Sequence, residues 1–152
     1  MNKLRVEKKS SYVIEVNDAG DTIEFNIEDP TLALRAEKAK QDVMKIADRC
    51  KLEISVIEKQ TDSKAKGNIL TKKQREQMEA YDKMYRDMRK AMDTFLGQGA
   101  CQKIFGDTNY LTMYDELFEA LQPHFEKMGL NAESLKDSIV RKYQQVEEAT
   151  IE

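Results

Sequence analysis

Residues 95–107 read FLGQGACQKIFGD, and how that stretch folds decides the organisation of everything around it. It holds three of the six glycines, one of the two cysteines and two of the five phenylalanines. Gly97 is placed to end a preceding helix in a left-handed cap, since glycine enters that backbone region at no steric cost. Residues 100–105 then make a short helical turn, stopped by Gly106-Asp107. Before the stretch lie a strand-like hairpin and two long helical patterns; after it lie two shorter helical patterns. It is a corner where a long helical arm turns into a compact helical end.

Working back from the corner, Thr71-Lys72-Lys73-Gln74 matches a capping box, in which the Thr and Gln side chains satisfy each other's backbone amides. A helix over residues 72–96 follows. Met78, Tyr81, Tyr85, Met88, Met92 and Phe95 recur at steps of three and four, a seam of the coiled-coil kind, with Met84 and Ala91 beside it. The seam has two readings. It is an intramolecular core, or a deformable binding surface whose thioether side chains repack around different partners. Its six residues, with Ile104 and Phe105 of the corner, are the candidate partner-binding residues.

Further back, Asp29-Pro30 starts the first long helix, with aspartate as cap and proline where its missing N–H costs nothing. Leu32, Ala36, Ala39, Val43, Ile46, Cys50, Ile54 and Ile57 follow at steps of three and four. No Gly or Pro interrupts residues 31–60, so this helix runs for about 28 residues and ~42 Å. The polar, Gly67-containing segment 60–70 is a loop. Residues 30–96 thus form a long antiparallel helical hairpin. Ahead of it, residues 11–28 form a β-hairpin. Tyr12, Ile14 and Val16 alternate on one strand, Ile23, Phe25 and Ile27 on the next, and Asn17-Asp18-Ala19-Gly20 turns between them. Such a hairpin is marginal alone and needs a helix or a second chain to cover it. Residues 1–10 are polar and loosely ordered.

Beyond the corner, Thr112 starts a helix whose apolar face is Tyr114, Leu117, Phe118, Leu121, Phe125 and Met128. Pro123 falls inside it and is expected to kink or restart it. Gly129 closes it. Asn131 caps a last helix, with Leu130 and Leu135 as a hydrophobic staple and Leu135, Ile139, Tyr143 and Val146 as its buried stripe. The two helices fill residues 112–149. The fold expected is mainly α with an N-terminal β-hairpin, built as a single domain over residues 1–152.

The composition narrows the function. A net charge of −3 and a pI near 5.4 argue against general nucleic-acid binding, which needs a basic face to displace counterions. The basic clusters at residues 3–9 and 64–75 read as solvated surface. No apolar run approaches the ~18 residues of a membrane span, and the N-terminus lacks the apolar stretch of a signal peptide. Cys50 and Cys101 have no metal-type spacing and sit beside apolar helical positions, as small buried hydrophobes rather than a disulfide.

A catalytic constellation is missing too. His124 is the one histidine and has no Cys or Asp pattern around it, so it reads as a packed or surface residue. Gly97-x-Gly99 lacks the strand, third glycine and helix of a dinucleotide fingerprint, and no Lys-Ser/Thr follows the corner glycines to cradle phosphate. Asp115, Glu116 and Glu119 form an ordinary charged helix face. The sequence therefore predicts no enzyme, cofactor or metal.

The corner FLGQGACQKIFGD, followed by Leu117-Phe118 and Gln122-Pro123, resembles a small protein encoded in tail modules of long-tailed phages and prophages of Gram-positive bacteria. The hairpin IEVNDAGDTIEFNIEDP resembles that group's N-terminus. The group is similar to tail assembly chaperones. The resemblance implies a self-associating helical protein that coats the long helical tape-measure protein and keeps it soluble until tube subunits polymerise. It implies action in the cytoplasm of the host bacterium and absence from the mature virion. The alternative is a dimeric structural or regulatory adaptor that docks a folded partner through the same helices. A third class, nucleic-acid binding through residues 64–75, would show steep salt dependence.

Overall fold

The computed structural model describes residues 1–6 and 10–130. Two strands, β1 (Ser11–Glu15) and β2 (Thr22–Asn26), precede four helices: α1 (Leu32–Glu58), α2 (Lys72–Leu96), α3 (Ala100–Phe105) and α4 (Met113–Lys127). The protein is mainly helical with an N-terminal antiparallel hairpin, as the patterning predicts. The last expected helix, from Asn131 through Val146, lies outside the described residues.

The strands pair with Val16 N–H bonded to Asp21 O at 2.9 Å and Ile27 N–H bonded to Ser10 O at 3.2 Å. That register sets Ile14 opposite Ile23. β2 alternates cleanly, with Ile23 and Phe25 buried and their neighbours exposed. The turn is held by Asn17, whose carbonyl accepts from Gly20 N at 3.1 Å. Its side-chain oxygen accepts from Asp21 N at 3.2 Å.

Contacts gather the chain into two units. Among the described residues, one comprises 1–6, 10–12, Asn26–Ala33 and 110–130; the other comprises Val13–Phe25 and Leu34–Asn109. In the first, Leu32, Met113, Tyr114, Leu117 and Leu121 are buried. Tyr12 and His124 meet edge-on, ring centroids 5.7 Å apart, with the hydroxyl 2.9 Å from Nδ1. α4 runs through Pro123 without interruption. Proline offers no N–H to the Glu119 carbonyl, but both residues are exposed, where solvent is available to that carbonyl, so the expected restart is unnecessary. The helix ends as foreseen at Gly129. Gly129 N donates to Glu126 O at 3.0 Å and Leu130 N to Phe125 O at 2.8 Å, with φ +77° at the glycine. This pair of bonds is the Schellman closure.

α1, which belongs to the second unit from Leu34 onward, is 27 residues long, about 40 Å. It begins two residues after Pro30, because Asp29 Oδ1 first closes a turn by accepting from Thr31 N at 2.8 Å and Thr31 Oγ1 at 2.7 Å. α1 buries Ala39, Val43 and Cys50, and the Cys50 thiol lies 3.7 Å from the Ala80 carbonyl of α2. Glu53 pairs with Lys83 at 3.9 Å. α2 starts at the expected capping box: Gln74 N donates to Thr71 Oγ1 at 3.1 Å, and Thr71 N to Gln74 Oε1 at 3.0 Å.

The corner differs from expectation in one detail. Gly97 does end α2, its N–H bonded to Asp93 O at 2.9 Å, but its φ 112°, ψ 152° is not the left-handed helical region. That conformation falls to Gly99, at φ 79°, ψ 2°. Gly97 takes a positive-φ conformation outside the helical regions, and the left-handed step at Gly99 then feeds the chain into α3. The Gly97 conformation is essentially closed to residues with a Cβ. No atom lies within 4 Å of a Cβ built there, so Gly97→Ala meets backbone strain alone. A loss of about 1–3 kcal/mol is the expected result of urea unfolding.

Candidate partner-binding surface

α2 carries the expected seam, and the structure divides it. Met88, Met92 and Phe95 are buried, Met92 completely. Phe95 packs on Phe25 of β2 with ring centroids 5.5 Å apart. At the other end, Met78 is 55% exposed and Tyr81 37% exposed, with Tyr85 between the two states. Burial raises the Tyr85 hydroxyl pKa above its ordinary value, with smaller contributions from Tyr81 and Cys50. In the corner, Ile104 and Phe105 are half-buried.

The division has a geometric cause. The buried line on α2 is Ala80, Met84, Met88, Met92 and Leu96, joined by Phe95. A step of four residues advances about 400°, so such a line precesses by about 40° per step around the helix. A step pattern of three and four stays nearly straight. The two lines coincide at Met88 and Met92 and part towards the N-terminus. There Ala80 and Met84 turn to α1, and Met78 and Tyr81, at i and i+3, share the side left uncovered, with the half-buried Tyr85 at its edge.

Next to this side, Ile46, Arg49, Cys50 and Glu53 of α1 and Ala80, Lys83, Met84 and Asp87 of α2 line a shallow depression. Past Cys50, α1 has no fully buried residue, and Leu52 and Val56 are exposed. Ile69, in the connection between the helices, is 91% exposed. The patterning did not single out Leu52, Val56 or Ile69. Leu52 and Val56 stand two positions after Cys50 and Ile54, roughly 200° around α1 from its apolar line, so that periodicity carries no signal for them.

The connection from α1 to α2 is tied down by Asp62. Its Oδ1 accepts from Lys73 N at 3.0 Å and Ser63 N at 2.8 Å, and Lys72 N donates to Ser63 O at 2.7 Å. The Lys73 amide, aided by the Thr71 side chain and the Ser63 amide, holds the Asp62 carboxyl below its ordinary value against the pull of desolvation. The folded pKa is therefore lower than the unfolded one. The stabilisation is present above the unfolded pKa and disappears as pH falls through the folded value. Wild type and Asp62→Asn are accordingly expected to differ in urea midpoint at neutral pH and to converge in acid below the depressed value.

Asp93, absent from the sequence-based candidates, organises the corner. Its carboxylate accepts from Cys101 N at 2.9 Å and Gly99 N at 3.3 Å, so a residue of α2 caps α3. Arg89 acts one turn earlier, donating to Thr108 O and Asn109 Oδ1, each at 2.9 Å. The Cys101 thiol lies 3.7 Å from the Arg89 carbonyl.

Among the described residues, no group of three or more His, Cys, Asp or Glu side chains is placed to hold a metal ion. No helix among them is long and apolar enough to cross a membrane. Neither Cys50 nor Cys101 is in a disulfide. No curated protein and no solved structure matches the chain. One family model does, over residues 19–149, from the hairpin turn to near the C-terminus: the chain belongs to a family of unknown function, DUF6673.

Proposed function

We propose that this protein is a helix-binding chaperone of phage tail assembly, which holds the tape-measure protein soluble in the bacterial cytoplasm and leaves before the virion is complete. The observation that carries the reading is the uncovered pair on α2, Met78 and Tyr81, edged by the half-buried Tyr85, on a helix whose remaining apolar line is committed to the core. A soft thioether flanked by two amphipathic phenol rings suits an apolar helix face presented at i, i+3, i+4 and i+7. The phage assignment rests on the resemblance of the corner and hairpin to tail-module proteins.

The test is co-expression with the tape-measure protein encoded in the same genome. The expected result is a higher soluble yield of that protein and a complex that co-purifies. Well-folded protein that produces neither would remove the proposal. A complex of fixed one-to-one or two-to-two composition with a folded protein would favour the adaptor reading instead.

A further inference from the structure

Charge is distributed along the chain in two opposed blocks. Residues 10–34 contain six carboxylates and no Lys or Arg. Residues 59–75 contain six Lys or Arg and one carboxylate, Asp62. In the unit that contains α2, the acidic block is the hairpin with Glu15, Asp18, Asp21 and Glu24, all exposed. The basic block is the α1–α2 connection and the first turn of α2. There Lys59, Lys64, Lys66, Lys72 and Arg75 are exposed.

The two blocks lie at opposite ends of α2. Phe25 of the hairpin packs on Phe95 at the C-terminal end. Asn17 Nδ2 donates to Lys103 O at 2.9 Å, and Lys103 Nζ is 3.5 Å from Thr22 O, which fixes the hairpin beside α3. The basic connection is tied to the N-terminal end through Asp62, Ser63, Lys72 and Lys73. The 25 residues of α2 separate the two by about 37 Å, several times the ~8 Å screening length at physiological salt. The blocks therefore cannot neutralise each other within one chain. Each end also exposes an apolar residue, Val13 on β1 and Ile69 in the connection.

We infer that the basic α1–α2 connection of one copy docks on the acidic hairpin of the next. Two different, complementary surfaces make a heterologous contact, and a heterologous contact builds a ring or an open chain rather than a closed two-fold dimer. Fit between opposed charge patches sets the register and speeds encounter, and the contact weakens as salt rises. The inference does not depend on the tape-measure reading, since it needs no second protein.

The experiment is sedimentation velocity of the purified full chain over a wide concentration range, at low ionic strength and at ~1 M salt, where the screening length falls to ~3 Å. Wild type is expected to grow with concentration at low salt and to dissociate at high salt. Lys64→Glu/Lys66→Glu/Lys72→Glu, and separately Glu15→Lys/Asp18→Lys, are each expected to raise the association midpoint by at least about tenfold. Circular dichroism is expected to show unchanged helix content. Glutamate at position 72 is compatible with the positive N-terminus of α2. A monomer at every concentration, a closed dimer, or assembly indifferent to salt and to both sets of substitutions would each overturn the inference. Salt-sensitive binding of DNA or RNA by a chain that stays monomeric would overturn it as well, and would give the basic block to nucleic acid.

Discussion

Met88→Asp is expected to unfold the α2 core, with loss of cooperative melting and of much of the helical circular dichroism. Met88 is 6% exposed and stands where the two apolar lines of α2 coincide. A carboxylate there loses its water without gaining a cation: its neighbours on the buried line are Met84 and Met92. Burying an unpaired charge costs several kcal/mol, and the lost thioether packing adds to that. A total above about 4 kcal/mol is a large part of the roughly 5–15 kcal/mol that holds an ordinary domain together. Met78→Asp is the matching control. At 55% exposure it is expected to shift stability by no more than about 0.5 kcal/mol while reducing capture of the helical partner. If both variants fold equally well and both lose the partner, the core assignment of Met88 is wrong. If Met78→Asp folds and still binds normally, the uncovered side of α2 is not the docking surface.

The second large effect belongs to Asp93. Removing its carboxylate strands two amides at the start of α3, Gly99 N and Cys101 N. Hydrogen bonds to a charged acceptor contribute about 1.5–3 kcal/mol, and a lost helix cap about 0.5–2 kcal/mol. Since both descriptions concern the same bonds, Asp93→Ala is expected to cost roughly 2–3 kcal/mol, a fall in melting temperature of about 5–10 °C for a chain of this size. Asp93→Asn keeps one acceptor oxygen and is expected to lose roughly half as much. Differential scanning calorimetry of the pair decides the matter. Equal losses would show that charge near α3, rather than the bonds to the two amides, is what counts.

These two residues also show where the sequence is readable. The Thr71–Gln74 capping box, the turn at Asn17–Gly20 and the closure at Gly129 were legible because the atoms that satisfy one another lie within a few residues. The α3 cap was not, because its acceptor sits six to eight residues upstream, in the helix before the corner. Proximity there depends on the positive-φ Gly97 and the left-handed Gly99 acting together. The seam was legible in composition and half legible in register. A rhythm of three and four identifies an apolar side, but which part is covered depends on where α1 crosses, and α1 approaches from the Ala80–Met84 side. Pro123 misled for a related reason. Its effect on a helix depends on whether the carbonyl it leaves unbonded can reach water.

The placement of the two cysteines has a practical consequence. Cys50 and Cys101 are 5% and 1% exposed, and burial, reinforced by Glu53, raises the Cys50 thiol pKa above its ordinary value. Native thiols of this kind react slowly with maleimides while the protein stays folded. A single cysteine introduced at an exposed position such as Asn68 therefore accepts a fluorophore selectively without the native pair being replaced, and the emission of that dye can follow assembly in real time.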